Sequence, residues 1–260
     1  MSLLCVADYS QLEPRLMAHY SEDPRLMGVY LPGGSGDLYV DMAEGIFGTS
    51  DKERRNICKT LVLAMGYGAG DKKVGSILTV NGYPTDVQTG AAYVSTLRET
   101  YPVFFEWRES VIARVHREGY VRTIGGRHRR LKAAFADRRN WKNVGYGERQ
   151  AVNAIIQGSA GDIVRRTMVH VAQDRGLSHF ELLCQIHDEL VWEVPTWTNM
   201  EDLARIKWQG EENHGYDLRV PLGFDPMLGV SWHEGKEGAP LELPEGWDDT
   251  TLDYEEEVRA

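Results

Sequence analysis

The sequence predicts a protein of mixed strands and helices, with strands near both ends of the chain and helices through its middle. Two observations carry this. Leu3-Leu4-Cys5-Val6-Ala7 near the start, and Leu182–Ile186 and Leu190–Val194 near the end, are short apolar runs of strand length bounded by polar residues. Between them, helical patterns cover about 38–47, 51–67, 86–118 and 147–174. With 260 residues and 42% hydrophobic content, the chain holds enough apolar material for one substantial core or two modest ones.

Taken in order, Leu3–Ala7 reads as a buried strand that stops at Asp8, where polar residues and then an apolar-periodic stretch take over. The Gly-rich turn Pro32-Gly33-Gly34-Ser35-Gly36 precedes the first two helical patterns. The pattern over 86–118 is expected to be one helix bent near Pro102, since proline lacks the N–H that a helix interior uses. Gly119–Leu131 reads as a hairpin around Gly125-Gly126, followed by a basic loop and then the helix over 147–174, with Ile155, Ile156, Ile163 and Val164 among its apolar positions. Only His187-Asp188-Glu189 separates the last two strand-like runs, which sets an acidic pair at the tip of a tight hairpin. From about 235 to 260 the chain is acidic and rich in Gly and Pro, and is expected to be a poorly ordered tail.

The longest apolar runs, such as Leu61–Met65, fall far short of the roughly 18 residues that span a bilayer, and no basic-then-apolar signal pattern opens the chain. A cytoplasmic setting is expected. Cys5, Cys58 and Cys184 are far apart, without partners at metal-ligand spacing, and are expected as buried thiols. The formal net charge of −10 argues at first against a nucleic-acid partner. Its distribution does not: residues 234–260 carry −8, while Arg108 to Arg149 carries twelve Lys and Arg against four acids. A solvated charged face explains such a run as readily as a phosphate-binding surface does.

Two carboxylates at strand ends, distant in sequence but able to meet on one sheet, suit in-line phosphoryl transfer. Paired Mg²⁺ ions about 3.5–4 Å apart need shared hard oxygen ligands. Asp8 and Asp188 are the candidates. A lone Asp at a strand end is ordinarily a turn residue, but the words around these two are specific. Asp8-Tyr9-Ser10-Gln11-Leu12-Glu13-Pro14-Arg15 closely resembles the first catalytic motif of the family A DNA polymerases, whose usual form reads DYSQIELR, and His187-Asp188-Glu189 matches their third. Between them Arg55, Lys59, Leu63 and Tyr67 fall at steps of four, along one stripe of a helix. The stretch Arg55–Gly68 fits the second motif apart from Leu63 and Ala64. Glu148–Gly158 is similar to a further family helix, Gly125-Gly126-Arg127 to a turn in the fingers, and Pro221-Leu222 to the start of a closing palm strand, so the resemblance covers the chain up to about His233.

The resemblance implies an α+β right-hand polymerase palm, an antiparallel sheet carrying Asp8 and Asp188, with a mostly helical fingers subdomain inserted. Palm would occupy 1–45 and 147–234, fingers 46–146, and the acidic tail 235–260. It implies template-directed DNA synthesis on primer-template DNA from dNTPs, with two Mg²⁺ ions, Mn²⁺ being an alternative. Asp8 and Asp188 would hold the metals, with the Tyr9 carbonyl, and Glu189 would stand by them. Lys59 and Arg55 would bind the triphosphate, Lys59 also aiding catalysis. Gln11, Glu13, Leu63, Tyr67 and His187 would border the nucleotide. Glu13, paired with Tyr67, would close the space of a 2′-hydroxyl. Arg127, Arg149, Asn153 and Gln157 would follow the DNA. Related single-subunit phage RNA polymerases have Gly in place of Glu13 and Ser in place of Glu189, which disfavours them.

Leu63 stands where the family usually has a ring that stacks on the incoming base, which leans the resemblance toward phage-type members and a bacterial or phage-infected cell. Pro14 and Tyr39 also depart from the usual pattern. The family's thumb and exonuclease precede the first motif, so the chain is expected to be part of a longer polymerase, or to need an N-terminal chain that carries them. Three rivals are weaker. A binding module has no use for Asp8, Glu13, Lys59 and Asp188 together, a metal-dependent nuclease has none for the nucleotide helix, and a remnant would show decay at these positions.

Overall fold

A computed structural model describes residues 2–66, 68, 71–137 and 139–237. The first apolar run is β1 (Ser2–Tyr9). It leads into α1 (Leu12–Ser21), α2 (Pro24–Tyr30), α3 (Leu38–Phe47), α4 (Lys52–Gly66), α5 (Asp71–Val80), α6 (Val87–Thr100) and α7 (Pro102–Glu118). A small hairpin of β2 (Tyr120–Arg122) and β3 (His128–Arg130) follows, then the long α8 (Trp141–Gln173). The chain then forms β4 (Glu181–Ile186), β5 (Glu189–Pro195), α9 (Met200–Glu211), β6 (Phe224–Gly229) and α10 (Trp232–Glu237).

The main sheet has the order β4-β5-β1-β6 with antiparallel neighbours throughout, so β1 is paired only with strands from the far end of the chain. Strand alternation sends Cys5, Ala7 and Tyr9 to one face, where they join Leu190, Trp192 and Val194 in the core. α8 and α9 cover that face. The Tyr9 hydroxyl donates to the Gly210 carbonyl of α9 at 2.9 Å and lies 2.6 Å from the Thr167 hydroxyl of α8, while its ring rests on Phe224 at 4.4 Å. Each fully buried large side chain here contributes about 1.5–3 kcal/mol. The other face carries Val6 and Asp8, and α10 lies across it. A Cβ on Gly235 would meet Val6 Cγ2 at 2.7 Å, so glycine lets that helix lie directly on the strand.

The structure bears out the mixed helix and antiparallel-sheet class and corrects several details. The stretch 86–118 is two helices, not one bent helix. Pro102 opens α7, and the Phe104 N–H, orphaned at that helix start, is taken by Asp23 Oδ2 at 3.1 Å. The other oxygen of Asp23 caps α2 through Arg25 and Leu26. α8 begins six residues earlier than expected, at an Asn140 cap that accepts from the Asn143 N–H. Cys5 and Cys58 are buried, but Cys184 is exposed because β4 is an edge strand with only β5 beside it. α10 runs to Glu237, three residues into the expected tail, and the rest of that tail, 238–260, lies outside the described residues. Among the described residues, no helix is long and apolar enough to cross a membrane.

Candidate active site

β1 ends at one rim of the sheet, next to the turn between β4 and β5. Asp8 is in register with Glu189 on β5 and Asp225 on β6, and the Tyr9 N–H donates to the Asp188 carbonyl at 3.4 Å. The turn has only two residues between the last paired ones. Its first, His187, takes φ 57°, the positive φ that tight two-residue hairpin loops demand. Thus 180 positions of separation close to adjacent strand ends. Partial burial, then the neighbouring charges of Asp188 and Glu189, push the Asp8 carboxyl up to about 6, against a smaller lowering by Lys236. Burial raises Asp188 in the same direction. Hard oxygens under mutual repulsion are the donor set that suits divalent cations. Among the described residues no group of three or more His, Cys, Asp or Glu forms a ready metal cage, so any ion here would draw ligands from substrate and water as well.

These carboxylates border a cleft of about 1190 Å³. Its walls include Tyr9 from the end of β1, Gln11 and Glu13 from the start of α1, Arg55 and Lys59 from α4, Gln157 from α8, and His187 and Asp188 from the turn. Arg55 and Lys59, four residues apart, share a helix face, as their spacing requires. Arg55 is held: its Nε and Nη2 donate to Asp37 Oδ2 at 2.9 and 2.8 Å, and its guanidinium lies 5.2 Å over the Tyr39 ring. Asp37 Oδ1 caps α3, so one carboxylate joins the start of that helix to the nucleotide helix candidate. Gln11, at φ 54°, turns its amide oxygen to the Tyr30 hydroxyl and the Leu38 N–H. That makes it a brace between α1, α2 and α3.

The four expected DNA contacts divide. Arg149, Asn153 and Gln157 lie four apart on α8, and the Asn153 amide donates to Gln157 Oε1 at 3.0 Å. Arg149 packs where α4 ends, its Cγ 3.3 Å from a Cβ placed on Gly68. Arg127 instead reaches back into the protein, donating from Nε to Asp162 Oδ1 at 2.5 Å and from Nη2 to the Gly158 carbonyl at 2.8 Å. Burial would raise the Asp162 carboxyl, but hydrogen bonds from Thr123, Arg127 and Arg165 hold it below its ordinary range. Arg122, Arg129 and Arg130 of the hairpin are exposed.

Of the expected site residues, Asp8, Tyr9, Gln11, Glu13, Arg55, Lys59, Gln157, His187 and Asp188 share the cleft. Glu189 points to the α10 side, where Trp232 and Lys236 hold it. Tyr67 and the side chain of Leu63 lie outside the described residues. Three neighbours escape a reading of the sequence: Asp37, Trp232 and Lys236. Only Asp37 has a local signal, its place as a cap before an apolar-periodic stretch.

A family model for DNA polymerase family A matches residues 1–234. DNA polymerase I of Lactococcus lactis subsp. cremoris is 33% identical over 245 residues, and that of Bacillus caldotenax 31% over 240; each alignment takes in 90% of this chain and 26% of the relative. The chain thus spans about a quarter of the length of these curated relatives. A solved structure, the POL domain of Pol1 from M. smegmatis in complex with DNA primer-template and dNTP, superposes with a TM-score of 0.78 at 28% identity, covering 90% of this chain and 40% of that one. With the family pattern matched along nine-tenths of its length, the chain belongs to DNA polymerase family A.

Proposed function

We propose that this chain is the palm and fingers portion of a template-directed DNA polymerase that joins a dNTP to a primer 3′-hydroxyl. The observation that carries the reading is the convergence of Asp8 and Asp188 on one cleft with Arg55, Lys59 and Gln157, from four separate parts of the sequence. In this reading 1–45 and 147–234 are palm and 46–146 fingers. The M. smegmatis relative was solved with primer-template and dNTP, and the same partners are proposed here. The part of the polymerase domain beyond the matched span, thumb included, is proposed to come from a preceding segment or a separate chain, in the cytoplasm of a bacterial or phage-infected cell.

Asp8 and Asp188, with the Tyr9 carbonyl, are the residues that would hold the metal ions, and Glu189 stands beside them. Bound Mg²⁺, or Mn²⁺ in its place, supplies a lowered pKa for the primer hydroxyl and charge neutralisation on the leaving pyrophosphate. Lys59 and Arg55 meet the triphosphate, where a fixed cation stabilises charge that grows in the transition state. Arg55 is pre-oriented for this by Asp37. Glu13 and Tyr67 are assigned selection of the deoxy sugar and Leu63 the role of bordering the base, and Gln11 and His187 flank the nucleotide and primer end. Arg149, Asn153 and Gln157 follow the duplex along α8, while Arg127 supports that surface through Asp162.

The test is primer extension on a templated duplex with Mg²⁺ and dNTPs. The chain is assayed alone and with a thumb-bearing polymerase segment, each beside Asp188→Ala. Extension that the substitution abolishes supports the reading. DNA binding without extension in either setting would favour a nucleic-acid-binding module and overturn it.

A further inference from the structure

α10 spans six residues, yet two of its side chains converge on one buried carboxylate. Trp232 Nε1 donates to Glu189 Oε1 at 2.8 Å, and Lys236 Nζ donates to Glu189 Oε2 at 2.8 Å. Trp232 and Lys236 are four apart and so share a helix face. Gly235 brings that helix against Val6 of β1. The Glu189 side chain is 3% exposed and stands directly across from Asp8 in the β1–β5 register. Directly opposed residues on one sheet face have Cβ atoms about 4.5–5.5 Å apart. Glu189 therefore lies within reach of any cation that Asp8 binds, but both of its oxygens are already engaged from the other side.

We propose that Trp232 and Lys236 are positioning residues that clamp Glu189, making it the anchor of α10 and withholding it from the metal ions that Asp8 and Asp188 would hold. This rests on the metal-binding reading of those two aspartates. The physical reason is competition. A third free carboxylate at this rim would add a hard ligand and a negative charge, bind a divalent ion more tightly and shift it from the place the other two define. Lys236 offsets that charge and fixes the carboxylate at once; Trp232 adds a neutral donor that sets its direction.

A purely structural role for these residues and a clamping role differ in sign once the direct charge of Lys236, which also reaches Asp8, is accounted for; Trp232→Phe changes no charge and reads the clamp alone. Removing a structural support loosens the site and weakens or leaves unchanged its affinity for cations. Removing a clamp frees Glu189 toward the ions and tightens binding. A unit charge on the order of 6 Å from a divalent ion changes its binding about ten-fold even in a water-like dielectric. Lys236→Met is therefore expected to bind Mn²⁺ on the order of ten-fold more tightly than the unaltered chain, and Lys236→Arg to stay near it. Trp232→Phe, which removes only the N–H, should shift affinity the same way by less.

The experiment is a Mn²⁺ titration followed by electron paramagnetic resonance on the full chain. Variants are Lys236→Met, Trp232→Phe, Glu189→Gln and the Lys236→Met/Glu189→Gln pair, with circular dichroism to verify folding. The expected result is tightening by Lys236→Met that is clearly smaller on the Glu189→Gln background than on the unaltered chain, because the freed carboxylate adds to the loss of the Lys236 charge itself. Unchanged or weaker binding in Lys236→Met, or tightening of equal size with and without Glu189→Gln, overturns the clamp. If Lys236→Met does not fold, the same two outcomes are read from Trp232→Phe alone and paired with Glu189→Gln. Should the unaltered chain show no Mn²⁺ binding that Asp8→Asn removes, the metal reading itself fails and the clamp with it.

Discussion

Asp8 is a strained charge when no metal is bound, and replacing it with Asn should make the protein more stable while, on the proposed reading, abolishing primer extension. The raised carboxyl supplies the magnitude: a move from 3.8 to about 6 corresponds to a ceiling of about 3 kcal/mol at 1.36 kcal/mol per unit. Asp8 is open to the cleft, so solvent screening reduces the expected gain to about 1 kcal/mol. A folded-state pKa above the unfolded one means that the group's contribution to stability is fully present below about 3.8 and lost as pH rises through about 6. The advantage of Asp8→Asn should thus be complete above about pH 6 and fade between about 6 and 3.8. Urea unfolding of both proteins in chelator, at about pH 7.5 and about pH 4, measures it. Added Mg²⁺ should stabilise the unaltered chain more than the variant, since only a bound ligand shifts the unfolding equilibrium. A variant no more stable than the parent at the higher pH, or a gain undiminished at the lower, would refute the reasoning.

On the proposed reading, in which the Lys59 ammonium meets charge that grows in the transition state, Lys59→Ala should lower kcat by about 10²–10³-fold in primer extension while leaving the circular dichroism spectrum intact. Asp162→Ala removes the shared acceptor of Arg127, Arg165 and the Gly125 N–H; with the arginines half exposed, a loss of about 2 kcal/mol is expected in urea melts. In Gly210→Ala the new Cβ would sit 2.3 Å from Phe224 Cδ1, so overpacking should destabilise by about 1–3 kcal/mol. Phe224→Leu in the same chain should restore part of that stability, and a Gly210→Ala melting temperature equal to the parent's would count against the packing argument.

Much of the site is legible in the sequence. The carboxylates stand out because Leu3–Ala7 and Leu182–Ile186 are short apolar runs of strand length, and each gives way to acid at its end. The stripe of Arg55 and Lys59 follows from helical geometry alone. What the sequence hides depends on distant partners. Nothing near Pro102 announces that Asp23, about 80 residues earlier, will take up the N–H at the start of α7. Lys236 sits in a stretch whose charge balance is so negative that a single cation vanishes in the sum, yet it binds Glu189. Cys184 belongs to a run as apolar as Leu190–Val194, and only sheet order makes one strand an edge and the other central.

Sheet order also governs when the site can come into being during synthesis. Val6 finds its partner in Val191 and its other neighbour in Met227, both of which leave the ribosome long after it. At roughly 5–20 residues per second, about ten to forty seconds separate Val6 from Val191. Through that interval α1 to α7 and the small hairpin can form from local contacts, while β1 waits with both edges unpaired and an apolar face uncovered. The sheet that carries the carboxylates is the last of the described elements to close, and a nascent chain arrested before β5 holds most of the helices and every cleft-lining side chain, but not the strand pairing that brings Asp8 to Asp188.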